Sequence, residues 1–170
     1  MDTTNTLYEE NMSSLMMKAV IALMGVIAIV FLVFYIIQAT GGRIDDSPSW
    51  YWLMMFLIFA VVTAFVVNFR KLTIIITSST ITVRYGMMKS VIKWENVEKC
   101  TYDKDSSLGY GGFGLRIARG HGTWIRAYNL MSRPRIALDL KTGRSRRIVF
   151  STNNPDQIME IAKQMGISTY

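Results

Sequence analysis

Two uncharged hydrophobic runs, Ala19–Ile37 and Trp50–Phe69, lie close together near the start of a 170-residue chain. As helices each reaches roughly 30 Å, about the thickness of the hydrocarbon core of a bilayer. One such run can be a core helix or a signal; two in succession predict a two-helix membrane hairpin. The first run follows acidic residues Asp2, Glu9 and Glu10, lacks a small-residue cleavage site and leads into a second span, so both helices are expected in the mature protein. The chain divides accordingly into a tail over residues 1–18, a hairpin over 19–69 with spans at 19–37 and 50–69, and a single domain over 70–170.

Charge sets the expected orientation. Residues 70–170 carry 17 Lys and Arg against 7 Asp and Glu, a net +10, whereas the tail and the connection between the runs are both slightly acidic. Arg70 and Lys71 stand directly after the second run, where the positive-inside bias acts. The domain is therefore expected in the cytoplasm, the tail with it, and only Gln38–Ser49 outside. Trp50, Tyr51 and Trp52 open the second span as an aromatic cluster of the kind that anchors at the headgroup level, here on the outer side. Ala60 and Ala64, four apart, offer a small patch for helix contact. Cys100 is the only cysteine, which rules out an intramolecular disulfide and suits a reducing compartment.

After Leu72 the apolar period becomes two. Leu72–Thr77 and Thr80–Tyr85 read as strands of an antiparallel hairpin turning at Ser78-Ser79. Further strands are expected at Ser90–Trp94, Lys99–Lys104, Leu115–Arg119, Trp124–Tyr128, Ile136–Lys141 and Arg144–Phe150, the last two joined at Thr142-Gly143. A closing helix follows: Asn154 can cap it, Pro155 fits its first position, Gly166 stops it, and Ile158, Ile161, Ala162 and Met165 make one apolar face.

This plan resembles the membrane-attached bacterial and archaeal proteins in which a two-helix hairpin precedes a pleckstrin-homology-like domain. The likeness is carried by Ile92-Lys93-Trp94-Glu95-Asn96-Val97, by Gly114-Leu115-Arg116-Ile117 with Trp124-Ile125-Arg126-Ala127-Tyr128-Asn129, and by Ile136–Gly143 with Ser151-Thr152-Asn153-Asn154-Pro155. It implies an α+β fold: a transmembrane hairpin, then an antiparallel β-barrel or sandwich closed by a C-terminal amphipathic helix. Phosphoinositide-binding members of the wider family use Lys and Arg around the first hairpin turn. Here that turn is Ser78-Ser79 between Thr77 and Thr80, a departure that argues against an inositol-phosphate pocket there.

Several motifs resemble chemistry and lack its context. Gly109, Gly111 and Gly114 have dinucleotide-binding spacing, but a strand rather than a helix is expected to follow. His121 is the sole histidine, set between two glycines, and no cysteine pair accompanies it, so no metal site is expected. Ser90 and Lys93 have the spacing of an acyl-transfer pair, yet on a strand they point to opposite faces. No catalytic residue and no cofactor are expected.

What remains is the basic surface. Arg133, Arg135, Arg144, Arg146 and Arg147 fall on two adjacent strands and are expected to be exposed and to converge on an anionic lipid or an acidic partner. Tyr110 and Phe113, in the glycine-rich Lys104–Phe113 stretch, are candidate aromatic anchors for a protein partner. Nucleic acid is not expected, since no binding motif accompanies the charge. The expected function is a non-enzymatic docking or scaffolding module at the cytoplasmic face of a membrane. Anionic-lipid sensing and service as an accessory subunit of a membrane enzyme or transporter are the alternatives, and the oligomeric state is left open.

Overall fold

In the computed structural model, residues 6–103, 112, 114–120, 123–130 and 133–169 are described. The chain forms two compact units, one over Ser13–Arg70 and one that joins Met1–Met12 to Lys71–Tyr170.

The first unit is helical. Helix α1 runs over Leu15–Ala39 and α2 over Ser49–Asn68. Both are long and apolar enough to cross a membrane. Ala28 is the only buried residue of α1 and α2 has none, so their large side chains are exposed or only partly covered by protein. A core helix of a water-soluble domain hides such a surface, and these two leave it open. Helix α1 stops in a Schellman motif, with Gly42 N–H donating to the Ile37 carbonyl at 2.9 Å and Gly41 at φ 92°. A Cβ at Gly42 would stand 2.6 Å from Ile37 Cγ2, so this glycine is sterically required. The helices meet through aromatic rings: Phe31 and Phe34 pack on Trp52 at 6.0 and 5.1 Å between ring centres, and Phe31 on Phe59 at 5.3 Å. Ala64, read as half of a small-residue contact patch, is exposed.

The second unit is strand-rich. Its first sheet has the order β1-β2-β3-β4, with β1 at Thr6–Ser13, β2 at Lys71–Thr77, β3 at Thr80–Tyr85 and β4 at Met88–Lys93. The β2–β3 hairpin turns at Ser78-Ser79 as the alternation predicts. A 3-10 turn over Trp94–Asn96 leads to the second sheet: β5 (Val97–Tyr102), β6 (Gly114–Gly120), β7 (Thr123–Asn129), β8 (Arg135–Leu140), β9 (Ser145–Ser151) and β10 (Ser168–Thr169). Its order is β10-β5-β8-β9-β7-β6. The β8–β9 hairpin is antiparallel, but β9 pairs with β7 in parallel and β10 with β5 in parallel. The expectation of an antiparallel barrel or sandwich is corrected in part: the arrangement is α+β, but the second sheet is mixed, and among the described residues no barrel closes.

Helix α3 spans Pro155–Gln164 and buries Ile158, Met159, Ile161 and Ala162. It packs on β5, where Met159 Sδ lies 3.5 Å from Cys100 Sγ. Asn154 occupies the cap position without a side-chain cap bond; the far end is a second Schellman motif, with Gly166 at φ 76° and Ile167 N–H on the Ala162 carbonyl.

Residues 6–13 belong, by sequence, to the tail; they form β1, an edge strand. Tyr8, Glu10 and Met12 alternate inward, and the inward Glu10 accepts hydrogen bonds from Tyr8 Oη, Thr152 Oγ1 and Asn153 N at 2.7–2.8 Å. Chain leaving β1 therefore enters the helical hairpin at Leu15 and comes back into the neighbouring strand, β2, at Lys71.

Candidate functional site: a basic cleft beside β4

Strand β4 is an edge of the first sheet, paired among the described residues with β3 alone. Along it opens a cleft of about 800 Å³. One wall is the whole run Lys89-Ser90-Val91-Ile92-Lys93; the other is built by Arg126 of β7, the β8–β9 turn over Lys141–Arg144, and Ile148.

Two hydrogen-bonded groups fix this shape. Asn96 grips the β8–β9 turn: its Oδ1 accepts from Thr142 N at 3.0 Å and Thr142 Oγ1 at 2.8 Å, and its Nδ2 donates to the Thr142 carbonyl. Lys141 N–H also donates to the Asn96 carbonyl at 2.9 Å. Gly143, at φ 119°, allows the turn. On the floor, buried Ser90 and buried Tyr128 share a hydrogen bond of 2.7 Å, and Arg126 donates to Ser90 Oγ at 2.9 Å. This triad ties the two sheets together while holding one guanidinium at the cleft surface.

The electrostatics are one-sided. Lys89, Lys93, Arg126, Lys141 and Arg144 line the cleft against a single carboxylate, Glu95. Lys141 Nζ is partly engaged by the Glu95 carbonyl at 2.9 Å, whereas Lys89, Lys93 and Arg144 have no acidic partner among the described residues. Such a cleft favours an anionic ligand.

The five arginines singled out by sequence do not converge. Arg135 and Arg147 lie on the opposite face of the second sheet from Arg126, turned toward Asp103. The Asp103 side chain is 1% exposed and that of Arg135 9%, with Arg135 Nε 2.9 Å from Asp103 Oδ2. Arg147 lies 4.0 Å from Asp103 and 3.7 Å from Asp139, its cross-strand neighbour. The expected exposure of Arg135 and Arg147 is thus corrected: buried acid draws both inward. Arg144 joins the cleft; Arg133 and Arg146 are exposed outside it. Tyr110 and Phe113 lie outside the described residues, as do Gly109, Gly111 and His121.

Of the span-flanking residues, Trp50 and Tyr51 are exposed, Trp52 faces α1, and Arg70 and Lys71 are exposed. Leu115–Arg119 is a strand within β6, so the helix that a dinucleotide motif requires does not follow Gly114. Ser90 points inward and Lys93 outward. Burial, with Asp139 nearby, pushes the Cys100 thiol up to about 12, which leaves it protonated and unreactive at neutral pH.

Sequence reasoning named Arg144 and missed Lys89, Lys93, Arg126 and Lys141. The legible signal was the outward position of Lys89, Val91 and Lys93 at period two on one strand. The chain matches no model of a known protein family, and no curated protein matches it.

Proposed function

We propose that this chain is a two-span membrane protein whose cytoplasmic, pleckstrin-homology-like domain is a non-enzymatic docking module, taking an anionic ligand in the cleft beside β4. The observation that carries this reading is the cleft itself, pre-shaped by the Asn96 clamp and the Ser90–Tyr128–Arg126 triad and lined by five cations against one acid. The fold reading is supported by the β2–β3 hairpin and by α3 packed on β5, with the mixed second sheet as a departure. The orientation is supported by β1 and β2: the strands before and after the hairpin are neighbours in one sheet, so both flanks of the spans share one side of the bilayer. Arg70, Lys71 and the +10 of residues 70–170 favour the cytoplasm as that side by the positive-inside bias.

One experiment tests ligand class and orientation together. Labelled polyglutamate is expected to bind sealed inside-out vesicles carrying the full chain, and not right-side-out ones. Lys93→Gln with Arg144→Gln should weaken that binding several-fold and flatten its salt dependence, because two of the attracting charges are gone. Binding from the outside overturns the orientation, and binding indifferent to the two substitutions overturns the cleft. Binding that follows the anionic-lipid content of added vesicles instead would favour lipid sensing.

A further inference from the structure

We infer that the ligand of the cleft is an acidic peptide segment of a partner protein, bound in extended form as an added strand along the edge of β4 that no described residue pairs with. This rests on the docking reading above and specifies the ligand.

A strand shows alternate residues on each face, so a groove lying over one face touches every second residue. This cleft touches five in succession, including Ser90 and Ile92, whose side chains point inward. It therefore meets β4 by its backbone edge. The pairing tells which groups stand at that edge. Tyr85 and Met88 pair across the two-residue turn Gly86-Met87, with Gly86 at φ 60°. In an antiparallel ladder closed by a two-residue turn, the pair next to the turn exchanges both hydrogen bonds and alternate pairs exchange none. Val83↔Ser90 and Ile81↔Ile92 are then bonded pairs, and Lys89, Val91 and Lys93 turn their N–H and C=O groups outward.

An open edge is a template for another strand, and a bare apolar one invites promiscuous pairing. Here the template is selective. The outward groups belong to residues whose side chains are Lys, Val and Lys, with Arg144 and Lys141 across the gap, so an acidic partner is attracted and a basic one repelled. Five residues give room for roughly 17 Å of extended chain at about 3.4 Å per residue. A lipid headgroup uses charge alone and has no need of a strand edge; a peptide uses both features.

The full chain in phosphatidylcholine nanodiscs is titrated with a short peptide alternating glutamate and valine, and with the same peptide N-methylated at every backbone nitrogen, which blocks both of its edges. The parent peptide should bind, and the methylated one at least about tenfold more weakly, since methylation removes pairing donors and leaves charge unchanged. Val91→Pro should reproduce that loss with an unaltered melting temperature, because the Val91 N–H faces away from β3. The peptide comparison uses the unmutated protein and stands even where Val91→Pro misfolds. Equal binding of the two peptides, weakened alike by Lys93→Glu with Arg144→Glu, overturns strand addition and leaves anionic docking intact. Failure of both peptides while polyglutamate still binds does the same. Loss of all polyanion binding overturns both readings.

Discussion

Arg135→Leu is expected to lower the stability of the strand-rich unit by about 3 kcal/mol, the order of the cost of removing one member of a buried ion pair. Arg135 Nε stands 2.9 Å from Asp103 Oδ2, and the Asp103 side chain is 1% exposed, so water cannot replace the lost guanidinium. For a unit of about a hundred residues this means a fall in melting temperature of more than about 10 °C, measured on the full chain in detergent. Asp103→Asn combined with Arg135→Gln should recover part of the loss, since both charges leave together. A melting temperature unchanged by Arg135→Leu would mean that the pair is not formed.

The second large effect concerns the closing helix. Ile161 is buried with Ile158, Met159 and Ala162 on the face of α3 that meets β5, so Ile161→Asp introduces an unpaired charge into an apolar contact. The penalty is several kcal/mol, of the order of the whole stability of a small domain, and the unit should lose its cooperative melting transition. Gln157→Asp is the matched control. Gln157 is exposed in the first turn of the same helix, where a negative charge is slightly favourable, so this substitution should leave the transition in place.

Elements whose signals are local were legible in the sequence. The two apolar runs, the β2–β3 and β8–β9 hairpins and α3 with its Pro155 and Gly166 boundaries each follow from periodicity and turn chemistry over a short stretch. Strand β1 was hidden because its central inward residue is Glu10, whose charge breaks the apolar alternation; its partners Thr152 and Asn153 lie at the other end of the chain. The place of β9 between β8 and β7 was hidden for a related reason. Both faces of the second sheet are buried there, Ile148 and Phe150 on one side and Val149 with Ala127 and Ala137 on the other, so Ile148-Val149-Phe150 reads as a plain apolar run that names no neighbour.

The same limit governed the site. Five arginines close in sequence suggested one cluster, but strand alternation sends Arg147 and Arg146 to different faces, and Asp103, brought beside Arg135 by the β5–β8 pairing, draws two of them inward. The cleft draws its cations from β4, β7 and the β8–β9 turn, which only the tertiary fold brings together.

The docking claim is tested most directly in the native membrane, with a photo-crosslinking amino acid placed at Val91 of the full chain. Val91 is 54% exposed and lines the cleft, whereas Ile117 on β6 is 62% exposed and does not, which makes it the control position. The account predicts a discrete protein adduct from position 91, absent from position 117 and lost when Lys93→Glu and Arg144→Glu are added. Equal adducts from both positions, or an adduct at 91 that survives the charge reversals, would contradict it.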